Sequence, residues 1–348
     1  MRTAFGEKFD VPPGYLNTAS LGIPTLTTAN AVAASVSRWA AGQADAPDYD
    51  LPVRQARTAF AELIGVPVER VASGSGVSPL VAQVAAGVPD GARVLVAEGE
   101  FTSVSFPFAA QAARGVTVTA APLDRLAERA ADFDLVAVAV VQSADGAVVD
   151  LDGLRASGAR VLLDVSQSLG WFPHDLAWAD WVVGAGYKWL LAPRGSAWLA
   201  VRPEAADWTL PVAANWYAGD DPWKTVYDLP LRLAPDARAY DLSPAWLAQA
   251  GAAAALPWIA GLDLAAVRDH AVGLADALLA ALGLPPRGSA IVSIAGEGVA
   301  ERLAEAGIRC ATRAGRARLA FHLYSDENDL DRAISALTRG NGQISESI

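Results

Sequence analysis

Lys188 is the residue in this sequence best suited to chemistry, because it stands as a lone cation among Tyr187, Trp189, Leu190 and Leu191. Burying an ammonium there costs solvation, which lowers its pKa and favours the neutral, nucleophilic amine. Such an amine is what a Schiff base with an aldehyde cofactor requires. Asp164 lies 24 residues earlier, and a carboxylate at that place could hold the ring nitrogen of pyridoxal 5'-phosphate protonated, keeping the ring an electron sink. An ion pair at about 4 Å is worth roughly 4 kcal/mol at an effective dielectric of 20, enough to decide that protonation state. Gln167 could donate to the ring's phenolic oxygen. The same residues also fit a plainer arrangement, a strand-end Asp capping a helix and a surface lysine on a loop.

Two short apolar runs must position these groups. Val161 to Leu163 ends in Asp164, and Trp181 to Val183 leads through Gly184-Ala185-Gly186-Tyr187 to Lys188. Each reads as a buried parallel strand with its polar residues at the carboxyl end, where ligands of open α/β sheets bind. Strands are expected near Arg70, Arg93, Val116, Asp134, Val161, Trp181 and Ala197. Helical spacing at 25–41, 51–64, 103–114 and 124–131 surrounds them, so a mostly parallel seven-stranded sheet covered on both faces is expected.

Asp164-Val165-Ser166-Gln167-Ser168, followed by Gly186-Tyr187-Lys188-Trp189, resembles the class V aminotransferase family of fold-type I pyridoxal phosphate enzymes. That family includes cysteine desulfurases, kynureninases, isopenicillin N epimerase relatives and the carbon-sulfur lyase of ergothioneine biosynthesis. The resemblance runs from about Tyr15 to Leu337. It implies an α/β fold with a large cofactor-binding domain over 15–262 and a smaller α+β domain over 263–340, with residues 1–14 able to pack on the latter. Residues 341–348 read as a polar tail. A homodimer acting on a small amino-acid substrate is expected by the same analogy.

The resemblance also assigns roles. Gly74-Ser75-Gly76, in a small-residue turn before a helix near Pro79, would cradle the cofactor's phosphate with backbone amides; the residues alone also suit a plain glycine turn. Phe101 would lie flat against the cofactor ring, or belong to the core with Phe106 and Phe108. Ser143 stands near the place of a cofactor-contacting Asn, Trp216 near that of a Trp element, and Ser243 where many relatives carry a Gly-Thr pair reaching the other subunit's phosphate. Ser243 could equally cap a helix starting at Pro244. Asn17 lies in a segment that implies substrate contact, although an ordinary turn fits it as well. Arg318 matches the Arg that binds the substrate's α-carboxylate, with Arg313 and Arg316 as rivals.

Composition narrows the partners. A formal charge of −11 argues against nucleic acid and anionic membranes. The longest uncharged apolar stretch, Ala250 to Leu262, is 13 residues, whereas a spanning helix needs about 20. The first residues lack an apolar core of signal-peptide length, so a cytoplasmic protein is expected. The three histidines have no zinc spacing, and no metal site is expected.

A single cysteine, Cys310, excludes an internal disulfide and decides one branch of the reaction. Desulfurases of the family carry a nucleophilic Cys on a mobile loop. Here Cys310 is expected within a buried strand, Gly307 to Ala311, where a thiol is inert. The reading is therefore a carbon-sulfur lyase acting by β-elimination on an amino acid or its S-conjugate. An aminotransferase or epimerase is the alternative, and a catalytically inactive binding module is an alternative of another class.

Overall fold

The computed structural model describes residues 1–338. The expected polar tail, 341–348, and the last residues assigned to the small domain lie outside the described part. The chain opens with a hairpin, β1 (Arg2–Ala4) and β2 (Glu7–Phe9), and two helices, α1 (Leu26–Ala40) and α2 (Asp50–Ile64). Gly65 closes α2 in the left-handed region (φ 70°), as its sequence position suggests.

Strands and helices then alternate: β3 (Val71–Gly74), α3 (Val77–Gly87), β4 (Arg93–Ala97), α4 (Thr102–Ala109), β5 (Thr117–Ala121), α5 (Leu126–Arg129), β6 (Leu135–Ala139), α6 (Leu151–Ala156), β7 (Arg160–Asp164), β8 (Trp181–Ala185) and β9 (Ala197–Val201). These seven strands form one sheet in the order β3-β9-β8-β7-β6-β4-β5. Only β9 opposes the rest, pairing antiparallel with both β8 and β3. The mostly parallel α/β sheet is therefore as expected. Its central strands bury both faces: in β6, Val136 and Val138 join one core while Leu135 and Ala137 join the other.

Two helices are shorter than their apolar spacing suggests. Pro107 interrupts α4, which ends at Ala109 and passes into a short 3-10 turn before Gly115. α5 keeps a single α turn between two 3-10 turns.

Beyond the sheet follow α7 (Trp246–Ala260), α8 (Leu264–Ala281), β10 (Ile291–Ile294), α9 (Val299–Glu305), β11 (Ala311–Arg313), β12 (Arg316–Ala320) and α10 (Glu327–Thr338). The side chain of Asp263 caps α8 by accepting from the amides of Ala265 and Ala266. The last three strands form an antiparallel sheet, β10-β12-β11. Its Val292, Ile294, Ala317 and Leu319 pack with α8, α9 and α10 into a third core. No single helix among the described residues is long and apolar enough to cross a membrane.

Two expectations fail here. α7 does not start at Pro244: Ala245 precedes its first residue without any side-chain cap, and Ser243 is exposed. The reason lies upstream, where Asp241 is buried and the amide of Leu242 donates to the Ser73 carbonyl, holding this stretch extended. The strand expected at Gly307 to Ala311 also moves. Gly307 is left-handed (φ 73°), Arg309 bonds to Gly14 and Leu16, and the strand begins only at Ala311 before turning at Ala314-Gly315.

The amino-terminal segment ties the parts together. Leu16 donates to the Arg309 carbonyl and accepts from Ala320, both at 2.9 Å, and Gly22 donates to the Tyr187 carbonyl at 2.9 Å. A Cβ on Gly22 would fall 1.9 Å from the Lys188 carbonyl oxygen, so this crossing requires glycine.

A buried ion pair fixes the stretch after β9 against β3. Arg57 donates to Asp241 at 2.5 Å and to Ser73 at 2.9 Å, while Asp241 also accepts from the Ser73 amide at 2.7 Å. Breaking a buried pair on one side strands the other charge. Arg57→Met is expected to cost about 3–5 kcal/mol in urea unfolding, and the double change with Asp241→Leu to recover part of that loss; an Arg57→Met protein as stable as the native one would contradict the pair's role.

Candidate active site

The two sequence runs that start the argument end side by side. Asp164 is the last residue of β7, paired in register with Val183 of β8, and Lys188 follows β8 by three residues. Lys188 is 6% exposed, with its Nζ 5.3 Å from the centre of the Phe101 ring and 5.6 Å from that of Tyr187. Burial brings its pKa down to about 8, and the charges of Arg318, Arg313 and Arg194 push the same way against Asp164. At pH 7 the neutral amine is then about one part in ten, against roughly one in 3000 for an ordinary lysine. The reactive form is a minority species, but an accessible one. Asp164 is pushed up by burial, opposed by Ser166 and Lys188.

A cleft of about 230 Å³ opens on these groups. Its walls include Ser75, Gly76 and the first turn of α3, together with Phe101, Ser103 and Arg194. A Cβ on Gly74 would press on Leu80 at 2.9 Å, so this glycine serves helix-strand packing; one on Gly76 would meet only the Pro79 ring at 3.8 Å, leaving the cleft open there. The amides at the start of α3 carry the positive end of its dipole, which suits an anionic group. Pro79 itself contributes no N–H. Phe101 is 43% exposed and presents its ring to the cleft rather than to the core. Its amide is held by the buried carboxylate of Glu100, which also accepts from the Ala139 amide and Gln142.

Arg318, Ser143, Gln167 and Ser20 form a second cluster beside the lysine. Arg318 is 1% exposed and donates through one nitrogen to the carbonyl and Oγ of Ser143, and through another to Ser20 Oγ at 2.7 Å. Among the described residues its Nε has no partner, nor does the buried Oδ1 of Asn17. Burial brings the Arg318 pKa down to about 10, with Arg313 adding to the effect. Both side-chain N–H groups of Gln167 are engaged: Nε2 donates to the Ala19 carbonyl and to Ser143 Oγ, each at 3.0 Å, and Oε1 accepts from Trp189 at 2.8 Å. Contact with a ring oxygen would therefore mean exchanging one of those bonds. Ser143 sits between Gln167 and Arg318 rather than at the lysine.

Two of the expected residues are not brought to the cleft within this chain. Trp216 packs with Tyr217 and Trp223, and Ser243 lies exposed before α7. Conversely, Arg194 and Ser103 line the cleft although nothing in their local sequence marks them. Arg194 stacks over Tyr187 at 5.3 Å, and its place six residues after the lysine was the one available signal.

Residues 33–298 match the family model of the class-V aminotransferases. The chain is 29% identical over 309 residues to an uncharacterised aminotransferase, YcbU, of Bacillus subtilis (strain 168), covering 81% of this chain and 82% of that one. Its fold resembles the cysteine desulfurase CsdA of Escherichia coli, with a TM-score of 0.81 and 19% identity over 95% of this chain and 96% of that one. It also resembles the cystine C-S lyase C-DES, solved with its reaction product cysteine persulfide, at TM-score 0.84 and 20% identity over 94% and 98% of the two chains.

The chain contains only three lysines, and Lys8 and Lys224 are exposed. Incubation with pyridoxal 5'-phosphate followed by borohydride is expected to label Lys188, with peptide mapping as the check. The initial capture rate should rise with pH and level off above a midpoint near 8, because the neutral amine reacts and burial lowers this group's pKa to about that value. Labelling confined to Lys8 or Lys224 would remove Lys188 from the site.

Proposed function

The chain belongs to the class V aminotransferase family, a family of pyridoxal phosphate enzymes, and from that premise we propose that it is a carbon-sulfur lyase acting on cysteine S-conjugates by β-elimination. The residues present fit the cofactor. A buried lysine with a depressed pKa, a carboxylate at the adjoining strand end and an open cradle at Gly76 converge on one cleft. In that cleft Ser75, Gly76 and the α3 amides would hold the phosphate, Phe101 would cover the ring, and Asp164 would hold the ring nitrogen protonated. Bound there, pyridoxal phosphate supplies an electron sink for negative charge at the substrate's α-carbon.

The chain's own groups do the rest. Arg318, already oriented by Ser20 and Ser143, keeps an unpartnered buried Nε for a substrate carboxylate. A guanidinium held in this way aligns the carboxylate and restricts rotation about the α-carbon. Lys188 Nζ, with a pKa near neutrality, can take the α-proton and give it back. As the α-proton goes to Lys188, the Cβ–S bond breaks with its electron pair leaving on sulfur. Hydrolysis of the remainder then yields a keto acid and ammonia beside the thiol. Phe101 and Tyr187, flanking the Nζ, shield it from water.

The observation that carries the lyase branch over the desulfurase one is the setting of Cys310, the chain's one cysteine. It does not lie inside a strand, and it is partly exposed. It is nevertheless pinned: Arg309 on one side bridges to Tyr15, and Ala311 on the other pairs with Arg318. Burial raises its thiol pKa in spite of Arg318. A thiol held between two bridged residues cannot travel to collect sulfur, and a raised pKa disfavours the thiolate such a relay needs.

The same reading has two copies pairing, because Trp216 and Ser243, away from this chain's cleft, would meet a cofactor only across a subunit boundary. Transamination remains the second reading, since the same proton transfers at Lys188 serve it.

The test is a panel of cysteine S-conjugates and ordinary amino acids with the holoenzyme, following thiol and keto acid. Thiol and pyruvate in equal amounts support elimination; keto acid that requires an acceptor keto acid supports the aminotransferase. Cys310→Ala is expected to retain turnover, and loss of activity in a folded variant with sulfur trapped on native Cys310 would restore the desulfurase. Asp164→Asn should lower kcat by about 10²- to 10³-fold with far less effect on cofactor retention; near-native turnover at saturating cofactor would exclude its role.

A further inference from the structure

We propose that Arg313 is a specificity residue that binds a second anionic group at the far end of the substrate's side chain, so that the preferred substrates are amino acids with an acidic side-chain terminus. The inference rests on the reading of Arg318 as the α-carboxylate site.

The register of the small sheet places the two arginines. Ala311 pairs with Arg318, Thr312 with Ala317 and Arg313 with Arg316. Paired residues of an antiparallel ladder share a face and neighbours along a strand alternate. Ala317 and Leu319 point into the core against α8, α9 and α10. Arg318 and Ala320, and with them Arg313, therefore belong to the opposite face, where Ala320 and Ile291 join the core of the large sheet. Arg313 and Arg318 are diagonal neighbours, whose Cα atoms in such a ladder are about 7–8 Å apart, a spacing that a short side chain spans.

The two differ in setting. Arg318 is buried and held by two hydroxyls and a carbonyl. Arg313 is exposed, its only hydrogen bond among the described residues a donation to the carbonyl of its neighbour Thr312 at 2.8 Å. Its charge acts on both Lys188 and Arg318. Arg194, the third guanidinium acting on Lys188, lines the same cleft as Ser75 and Gly76. Among the described residues none of the three has a carboxylate within ion-pair distance, although acidic residues outnumber basic ones 38 to 27 in the chain. Three unneutralised cations around a fourth repel one another, and each anion that enters relieves part of that repulsion. Cofactor phosphate and α-carboxylate account for two of them; Arg313 remains for a third.

The probes are L-2-aminoadipate and its side-chain amide, which match in shape, differ in terminal charge and carry no leaving group on Cβ. Calorimetric titration of the native holoenzyme is expected to show about tenfold tighter binding of the acid. Arg313→Gln, an exposed change, should bring the two to parity by weakening the acid alone, and Arg313→Lys should keep part of the preference. Equal affinities in the native enzyme, no binding of either probe, or an equal loss for both in Arg313→Gln would overturn the proposal. Thiol release from S-carboxymethyl-L-cysteine is measured in parallel. A charge preference that disappears in Arg313→Gln, without thiol release, would sink the elimination reading and leave the subsite; thiol release without the preference would do the reverse.

Discussion

The site depends on keeping one ammonium group out of water. Moving the pKa of Lys188 from 10.5 to about 8 corresponds to roughly 3 kcal/mol of disfavoured charge, and the fold has to supply it. It does so by placing the lysine where β8 ends, between the rings of Phe101 and Tyr187, under a crossing segment that only Gly22 allows to pass. Asp164 opposes the shift, since an opposite charge stabilises the ammonium; burial outweighs it, and the three nearby guanidiniums add to the effect of burial. The balance leaves an amine that can both hold and release a proton near neutrality, which a proton carrier at an α-carbon requires.

The placement of Asp164 and Lys188 at adjoining strand ends was legible in the sequence, and the reason is local. Asp164 and Lys188 each close an apolar run, so strand pattern and polar terminus are written within a few residues. Gly74 to Gly76 follow the same rule at β3. The cluster around Arg318 depends on contacts across the chain: Ser20, Ser143 and Arg318 meet although they are far apart in sequence. Residue resemblance could name Arg318, but not the hydroxyls that orient it. Arg194 went unnoticed because a loop arginine has no periodicity to betray its direction. Cys310 and Ser243 were misplaced for a related reason, since in both cases a long-range bond, to the Gly14–Leu16 segment and to Ser73, overrides what local propensity suggests.

Gln167 shows how these two parts are joined. Its carbonyl accepts from Trp171 and its side chain from Trp189, while its two side-chain N–H groups reach the amino-terminal segment and Ser143. A side chain with both amide hydrogens and its carbonyl oxygen engaged inside a buried setting is rigid, because losing any one bond strands a polar atom away from water. Through it the loop after β7, the loop after β6 and the segment near Ala19 hold a common geometry, and Ser143 passes that geometry to Arg318.

That rigidity bears on which reaction the site can run. On the proposed reading the carboxylate end of a substrate would be held by Arg318, which lies on a strand whose neighbours on either side are paired, and Cys310 belongs to the same framework. Motion needed to carry sulfur away on a protein thiol would have to break the bridges at Arg309 and Ala311, and with them the register that sets Arg318. Motion needed to release a small thiol requires none of this, because the cleft opens at its rim, where Phe101 is 43% exposed. On the proposed reading, a framework stiff at Arg318 and open at the rim would favour departure of the leaving group into solvent over its capture by the chain, and in that sense the placement of one cysteine and the pairing of one arginine are the same structural fact.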